Sequence, residues 1–426
     1  MKKVLIITYY WPPSGGGGVQ RWLKFAKFLP EFGWEPIIFT PEHPDFNIQD
    51  ETLEAEVSNS LEVIKLPIWE PYQLFEKLTG KKTPSQGLIT SDKKKSLLTN
   101  LALWIRGNFF IPDPRKFWVK PSVKFLLDFI ERNEIDVVVT TGPPHSMHLI
   151  GLELKKKLDI KWVADFRDPW SKWDMLESFK LSSIAKKKHQ LLELAVLKNA
   201  DDVITVSETW AMEFEKILPR NYHVITNGFD EDDFQGVKKE EQTDVFVISH
   251  FGLINNFRNP LALWEALKKI KAALKIEVRL YGMIEPSIID SITSDPVLNS
   301  MVDIRPSISH KEVIQAYADS DLLLLLLNDS ENAKGHIPGK LFEYLASNRP
   351  ILALGPTDGD AAKIIKNTNS GEVFERSGSG LLDWITSVAT LNESRVSENP
   401  IDQYSRRNLT KQLVSEIFDV FTNDKK

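Results

Sequence analysis

Short apolar runs and helical stretches alternate along almost the whole chain. In the first half, Val4–Tyr10, Pro36–Thr40, Leu61–Leu66, Asp136–Thr141, Trp162–Phe166 and Asp202–Val206 read as strands. Several are continuously apolar, as strands covered by helices on both faces should be. Between them, segments such as Arg21–Leu29 and Pro121–Arg132 space their apolar residues near the helical period. This is the βαβ pattern of a parallel, doubly wound sheet.

The pattern then restarts. An acidic stretch with few large apolar residues, Glu231 to Asp244, reads as a linker. Beyond it, strands are expected at Val245–Phe251, Ile276–Tyr281, Val302–Arg305, Asp321–Leu327, Pro350–Leu354 and Gly371–Phe374, with helices such as Leu261–Ala273, Lys311–Ala318 and Lys340–Ala346 between them. Two α/β units in series follow: an N-terminal one over 1–230 and a C-terminal one over 240–402. The remaining 403–426 forms a terminal helix. A length of 426 residues suits two domains of this size.

Composition narrows the chemistry. Cysteine is absent, which excludes thiol nucleophiles, zinc–cysteine sites and disulfide scaffolds. With 53 Lys+Arg against 59 Asp+Glu, a net charge of −6 gives no footprint for nucleic acid. The apolar start Val4–Ile7 runs into Trp11-Pro12-Pro13 without a small-residue cleavage site, and the leucine run Leu322–Leu327 is far too short to span a bilayer. The expectation is a cytoplasmic protein, at most peripheral on the cytoplasmic face of a membrane. One segment departs from the alternation. Residues 81–124 carry ten Lys or Arg against two Asp, a surplus of +8, interleaved with Leu97, Leu98, Leu101, Leu103, Trp104, Ile105, Phe109 and Phe110. They read either as a membrane- or lipid-facing insertion or as a helical insertion with solvated lysines.

Candidate chemistry falls at strand ends, where open α/β sheets bind ligands. After the first strand, Gly15, Gly16, Gly17 and Gly18 open a helix. They form a ligand-facing loop or a flexible surface one, and they match neither a spaced dinucleotide fingerprint nor a P-loop. His145 follows Gly142-Pro143-Pro144 and would accept a proton, hold a sugar hydroxyl, or merely pack, while His148 falls one turn into the helix. Asp165, Arg167 and Asp168 form either an ion-pair network or the lining of an acceptor cleft, and no third ligand supports a metal reading. In the second half, Gly252 permits close backbone approach and Arg258 offers a planar fork to phosphate, or is a solvated helix-start residue. The run Gly335-His336-Ile337-Pro338-Gly339-Lys340-Leu341-Phe342-Glu343 places amides and a lysine at a helix start, with Glu343 one turn in, among apolar neighbours. Such a carboxylate needs a partner, and a ribose diol is one.

On these motifs the chain resembles glycosyltransferase family 4, retaining GT-B enzymes with nucleotide-sugar donors. The resemblance rests on the glycine loop, the Gly252…Arg258 loop and Lys340-Leu-Phe-Glu343-Tyr-Leu-Ala…Arg349-Pro350. It implies an α/β GT-B fold, two doubly wound Rossmann-like domains facing across a cleft, with the tail helix packing back on the first. It implies that Glu343 binds the donor ribose and that Arg258 and Lys340 meet the diphosphate, with Gly252, His336, Pro338 and Gly339 around it. His145 would take the place of the first-domain histidine near the donor sugar. The family's first glutamate would fall at Gly335; amides from His336 to Lys340, or nearby Glu331 or Asp329, are the substitutes at hand. The implied partners are a nucleotide sugar and a glycan or lipid-linked acceptor, with no metal cofactor and no nucleic acid. The function implied is sugar transfer in cell-surface polysaccharide or lipopolysaccharide synthesis. A GT-B sugar-nucleotide epimerase, drafting Asp165 or Asp168, and a non-catalytic nucleotide-sugar or glycan-binding protein are the alternatives. A nicotinamide dehydrogenase is disfavoured, since Thr40-Pro41 stands where its acidic ribose ligand should be.

Overall fold

The computed structural model of the protein describes residues 1–46, 49–71, 97–240, 244–270, 274–328, 331–391 and 401–423. The chain divides into two compact units: Met1–Thr226 with Arg406–Lys426, and Asn227–Ser405. Each is built on one parallel sheet.

The first sheet holds β1 (Lys2–Ile7), β2 (Trp34–Glu42), β3 (Glu62–Pro67), β4 (Val137–Gly142), β5 (Lys161–Phe166), β6 (Asp202–Thr205) and β7 (His223–Val224) in the order 3-2-1-4-5-6-7. β7 has two residues, too few for an apolar run to announce it. The second sheet holds β8 (Phe246–Phe251), β9 (Ile276–Tyr281), β10 (Val302–Arg305), β11 (Leu322–Leu326), β12 (Ile351–Leu354) and β13 (Gly371–Phe374) in the order 10-9-8-11-12-13. Both orders reverse direction between the first and fourth strands of the unit, the switch point beside which doubly wound sheets bind ligands. Central strands are buried on both faces: Val4–Ile7, Val137–Val139 and Leu322–Leu325 are all fully inaccessible.

The helix Gly17–Phe28 packs Trp22, Phe25 and Leu29 with the terminal helical segment, whose Leu409, Leu413, Ile417, Phe418 and Phe421 are buried in the same cluster. Arg21 of that helix meets Asp165 at the end of β5, both fully buried, with Nη2 2.9 Å from Oδ1. Trp22 Nε1 (2.7 Å) and Thr141 Oγ1 (2.8 Å) donate to the other carboxylate oxygen, and Arg21 Nη1 donates to the Thr226 carbonyl. Burial alone would raise the Asp165 pKa; the Arg21 charge and these hydrogen bonds overcome it and hold the carboxyl below its ordinary range.

The stretch read as a linker is a strap on the second unit. Glu231–Phe234 forms a turn capped by Asp230, Lys239 pairs with Asp321, and Glu240 N donates to Asp319 Oδ1 at 2.8 Å. Its polar side chains satisfy the end of another helix and strand, so low hydrophobicity there did not mean a tether. Residues 241–243 lie outside the described residues.

Breaking a buried pair from one side leaves an uncompensated charge. Arg21→Met should therefore destabilise the protein by about 3–5 kcal/mol in urea unfolding, with much of that recovered in Arg21→Met/Asp165→Leu. A single-variant loss below about 1 kcal/mol would show that the pair does not hold the first unit together.

Candidate functional site

In the second unit, β8 ends at Phe251 and the chain turns at Gly252, whose φ of +127° is strained for any other residue. A Cβ there would lie 2.7 Å from Lys340 Nζ, which donates to the Phe251 carbonyl. Glycine is needed for both reasons. Arg258 follows one turn later, its Nε donating to Asn328 Oδ1 at 2.7 Å just beyond β11. Arg376, at the end of β13, fastens this turn through the carbonyls of Phe257 and Leu327. Among the described residues, neither Arg258 nor Lys340 has a carboxylate within ion-pair distance. Burial, and then the Arg258 charge, lower the Lys340 pKa to about 7. Glu343, one turn along the helix, opposes that shift only in part, so two cations in a partly dry site leave a demand for an anion.

The helix Lys340–Ala346 carries Glu343, half-buried. Its Oε2 accepts from Tyr317 Oη at 2.7 Å. Burial and the adjacent carboxylate keep the Tyr317 phenol protonated, well above its ordinary range. Among the described residues Oε1 has no partner. One oxygen is thus anchored and the other left to accept. His336 and Pro338 are half-buried in the preceding turn and Gly339 is exposed, while Gly335 is buried at the end of the turn Glu331–Gly335. The amides of Leu341 and Phe342 already donate to the Pro338 and Gly339 carbonyls, so they are not open anion donors. Asp329 lies outside the described residues.

In the first unit, the glycine loop divides. Gly16 and Gly17 are exposed with open space where a side chain would stand, whereas a Cβ on Gly18 would lie 2.9 Å from Arg167 Nη1. Gly15 is half-buried beside Ser14, which bridges to Gln49. Arg167 donates to the Gly18 carbonyl at 2.8 Å and to that of Pro143, and its own amide donates to Gly142 at 2.9 Å. It ties the loops after β1, β4 and β5 into one surface. Asp168 is half-buried beside it. Asp165 is not a cleft residue: its carboxylate is wholly engaged inside the unit by Arg21, Trp22 and Thr141. Of the two readings of this cluster, an ion-pair network and a cleft lining, Asp165 takes the first, with Arg21 as its partner.

His145 is not displayed at the strand end. It is 5% exposed and stacked on Trp170, centroids 4.9 Å apart and planes within 2°. Both ring nitrogens are buried without partners, and burial with nearby positive groups holds the ring neutral. His148 is fully buried, its Nδ1 2.9 Å from Thr140 Oγ1.

The described part of the basic segment forms two helices, Leu97–Phe109 and Lys116–Arg132. Leu101, Trp104, Ile105 and Phe109 make an exposed apolar stripe at helical spacing. The cations are less exposed than a solvated face requires. Arg115 is buried against Glu70 at 2.9 Å, Lys116 donates to the Phe109 carbonyl, and Arg106 lies over the Phe179 ring. Lys120 and Lys124 are exposed; Lys81, Lys82 and Lys93–Lys95 lie outside the described residues. Among the described residues no helix is long and apolar enough to cross a membrane, and no cluster of three or more His, Asp or Glu is placed to hold a metal ion.

Comparison with known proteins bears on the fold. The model of Glycosyltransferase Family 4 matches residues 88–233. No curated protein sequence matches the chain significantly. Among solved structures, HepE of Anabaena in complex with UDP and glucose is 15% identical, with 98% of this chain and 100% of that one covered and a TM-score of 0.63. A putative UDP-N-acetylglucosamine 2-epimerase of Listeria monocytogenes is 11% identical over 99% and 98%, with a TM-score of 0.59. The lipopolysaccharide outer core galactosyltransferase WaaB is 13% identical over 99% and 100%, with a TM-score of 0.58. The fold is that of GT-B glycosyltransferases, with one doubly wound sheet in each unit.

Tyr317 and Asn328 escaped the sequence reading, because nothing local to either marks it; only the need of Glu343 for a partner pointed towards the first. The depressed Lys340 pKa has a testable sign. The unfolded chain keeps this proton to the ordinary lysine range, so from about pH 7 upward it binds more protons than the native state and stability rises with pH. Lys340→Met should therefore melt higher than the wild type at about pH 6, with the margin shrinking towards about pH 9. A variant that melts lower at the acid end would refute the buried, unpaired cation.

Proposed function

We propose that the protein is a glycosyltransferase that moves a sugar from a nucleoside diphosphate sugar to an acceptor hydroxyl. The observation that carries the reading is the nearness of Arg258 and Lys340, neither in an ion pair with a described carboxylate, to the half-free carboxylate of Glu343 on the helix that Lys340 begins. A donor asks for this combination. Glu343 Oε1 accepts from the ribose diol while Tyr317 holds Oε2. The fork of Arg258 and the ammonium of Lys340 take the diphosphate, and Gly252 gives it room.

As the bond from the anomeric carbon to the diphosphate oxygen breaks, negative charge grows on the leaving phosphate. Fixed cations aimed there stabilise the transition state more than the ground state. The leaving group needs no protein proton, and these side chains supply its charge balance in a reaction we propose to run without a resident metal. The acceptor hydroxyl attacks the anomeric carbon and passes its proton to the departing diphosphate oxygen. Retention of configuration rests on the family resemblance alone. UDP-glucose, a ligand of HepE, is the first donor to try.

We further propose a lipid-linked or cell-surface glycan as acceptor, in keeping with the lipopolysaccharide enzyme of the same fold, and contact of the stripe Leu101, Trp104, Ile105 and Phe109 with the cytoplasmic face of a membrane. The epimerase of like fold keeps a second reading in view, but Asp165, one carboxylate it would draft, is engaged by Arg21.

A panel of UDP and GDP sugars scored by thermal shift tests the donor site. A binding sugar nucleotide at a hundredfold excess over its dissociation constant stabilises by about 2.7 kcal/mol, and Glu343→Ala should remove most of that shift. An undiminished shift removes Glu343 from the site. Nucleotide release that requires an acceptor marks a transferase, and conversion of the donor alone an epimerase. On liposomes containing anionic lipid, Trp104→Ser/Phe109→Ser should weaken co-sedimentation; a wild type that does not sediment ends the membrane proposal.

A further inference from the structure

His250, the last residue but one of β8, is buried and has no part in the mechanism above. Its Nδ1 lies 2.9 Å from the Leu324 carbonyl of β11. A carbonyl only accepts, so the neutral ring carries its hydrogen on Nδ1 and a lone pair on Nε2. That Nε2 is buried without a hydrogen-bond partner. A proton placed there would be a donor with no acceptor, and a further positive charge beside Lys340 and Arg258. Burial and those two charges hold the imidazole neutral.

The proton that this ring refuses can go to Lys340. The charges that bear on Lys340 are Arg258, on the turn after β8, which opposes its ammonium, and Glu343, on its own helix, which favours it. Tyr317 donates to Glu343 and, like Tyr344, keeps its phenolic proton. His336 lies in the turn before the helix, and Arg376 reaches the Phe257 turn from beyond β13. The hydrogen bond from Nζ to the Phe251 carbonyl does not fix the charge, because an amine donates to a carbonyl as an ammonium does. Burial and a neighbouring guanidinium, answered by one carboxylate, leave the Lys340 pKa at about 7. Near neutral pH the empty site is thus a mixture of molecules with a charged and with an uncharged Lys340.

An anion entering beside Arg258 and Lys340 reverses this balance, since a close opposite charge favours the ammonium. We propose that anion binding at this site draws a proton from solvent onto Lys340 Nζ. The amine lone pair takes the proton that the buffer gives up, and no other bond changes. The bound state then holds more protons than the empty one, so affinity falls as pH rises. The site is a pH-sensitive grip, tighter on the acid side of neutral than on the alkaline side. Only in naming the anion as the diphosphate of a sugar nucleotide does the inference rest on the glycosyltransferase reading.

The test is calorimetric titration of the full chain at about pH 8, with UDP-glucose, UDP-N-acetylglucosamine and GDP-mannose, each in HEPES and in Tris. These buffers differ in their heat of proton release, and the difference counts the protons. The diphosphates are esterified at both ends and do not titrate there. A sugar nucleotide that binds should take up roughly one proton, and its Kd should rise by up to about tenfold per pH unit above about pH 7.5. The uptake should vanish in Lys340→Arg, whose guanidinium keeps its proton. In the empty wild type, competitive acetylation read by mass spectrometry should give Lys340 a midpoint roughly three pH units below those of the exposed Lys120 and Lys124, and this needs no variant to fold. Binding without uptake, uptake that persists in Lys340→Arg, or an ordinary lysine midpoint overturns the inference and leaves the donor reading standing. If no sugar nucleotide binds, sulfate is the probe: uptake on sulfate binding keeps the inference while the donor reading fails, and its absence ends both.

Discussion

Arg258 and Lys340 constrain everything around them. Two like charges held close and partly out of water repel one another, and their neighbours in the second unit hold them in place. Asn328 fixes one guanidinium nitrogen, the Phe251 carbonyl holds the ammonium, and Arg376 fastens the turn between them. The residue after β8 is then a glycine: its φ of +127° suits no other residue, and a Cβ there would press on the end of Lys340. Stability given up locally in this way is what the proposed donor site would use to hold an anion.

The sheets explain why the two cations meet at all. β8 and β11 are neighbours, and the segments that follow them deliver Arg258, Asn328 and Lys340 to one end of the sheet. Glu343 joins because it lies one turn along the helix that Lys340 begins, and it tolerates partial burial because Tyr317 reaches it from the helix His310–Ala318. In the first unit the same topology yields a different result. Arg167 draws three strand-end loops together, and His145 in one of them stacks on Trp170.

Much of this was legible in the chain. Continuous apolar runs such as Leu322–Leu326 located the strands because parallel strands buried on both faces have no polar side to show. Residues whose roles follow from backbone position, Gly252 and Lys340 among them, were also visible. What local sequence could not show was which distant partner each polar group finds. Asp165 read as a cleft carboxylate because Arg21 lies 144 residues away. Arg115 read as surface charge because Glu70 was not yet beside it. His145 read as a proton acceptor, a hold for a sugar hydroxyl or a packing residue, since the stacking of Trp170 depends on how the β5 loop folds back. The strap at 231–240 read as a tether because its anchors, Asp319 and Asp321, lie on the far side of the second unit's sequence.

We propose that the second unit alone grips the diphosphate and ribose of a sugar nucleotide. Hydrogen–deuterium exchange of the whole protein, with and without a stabilising UDP or GDP sugar, tests this. Exchange should slow in peptides covering 252–258 and 336–346. Protection confined to the glycine loop at 14–18 and the turn at 142–148, with those two segments unchanged, would contradict it.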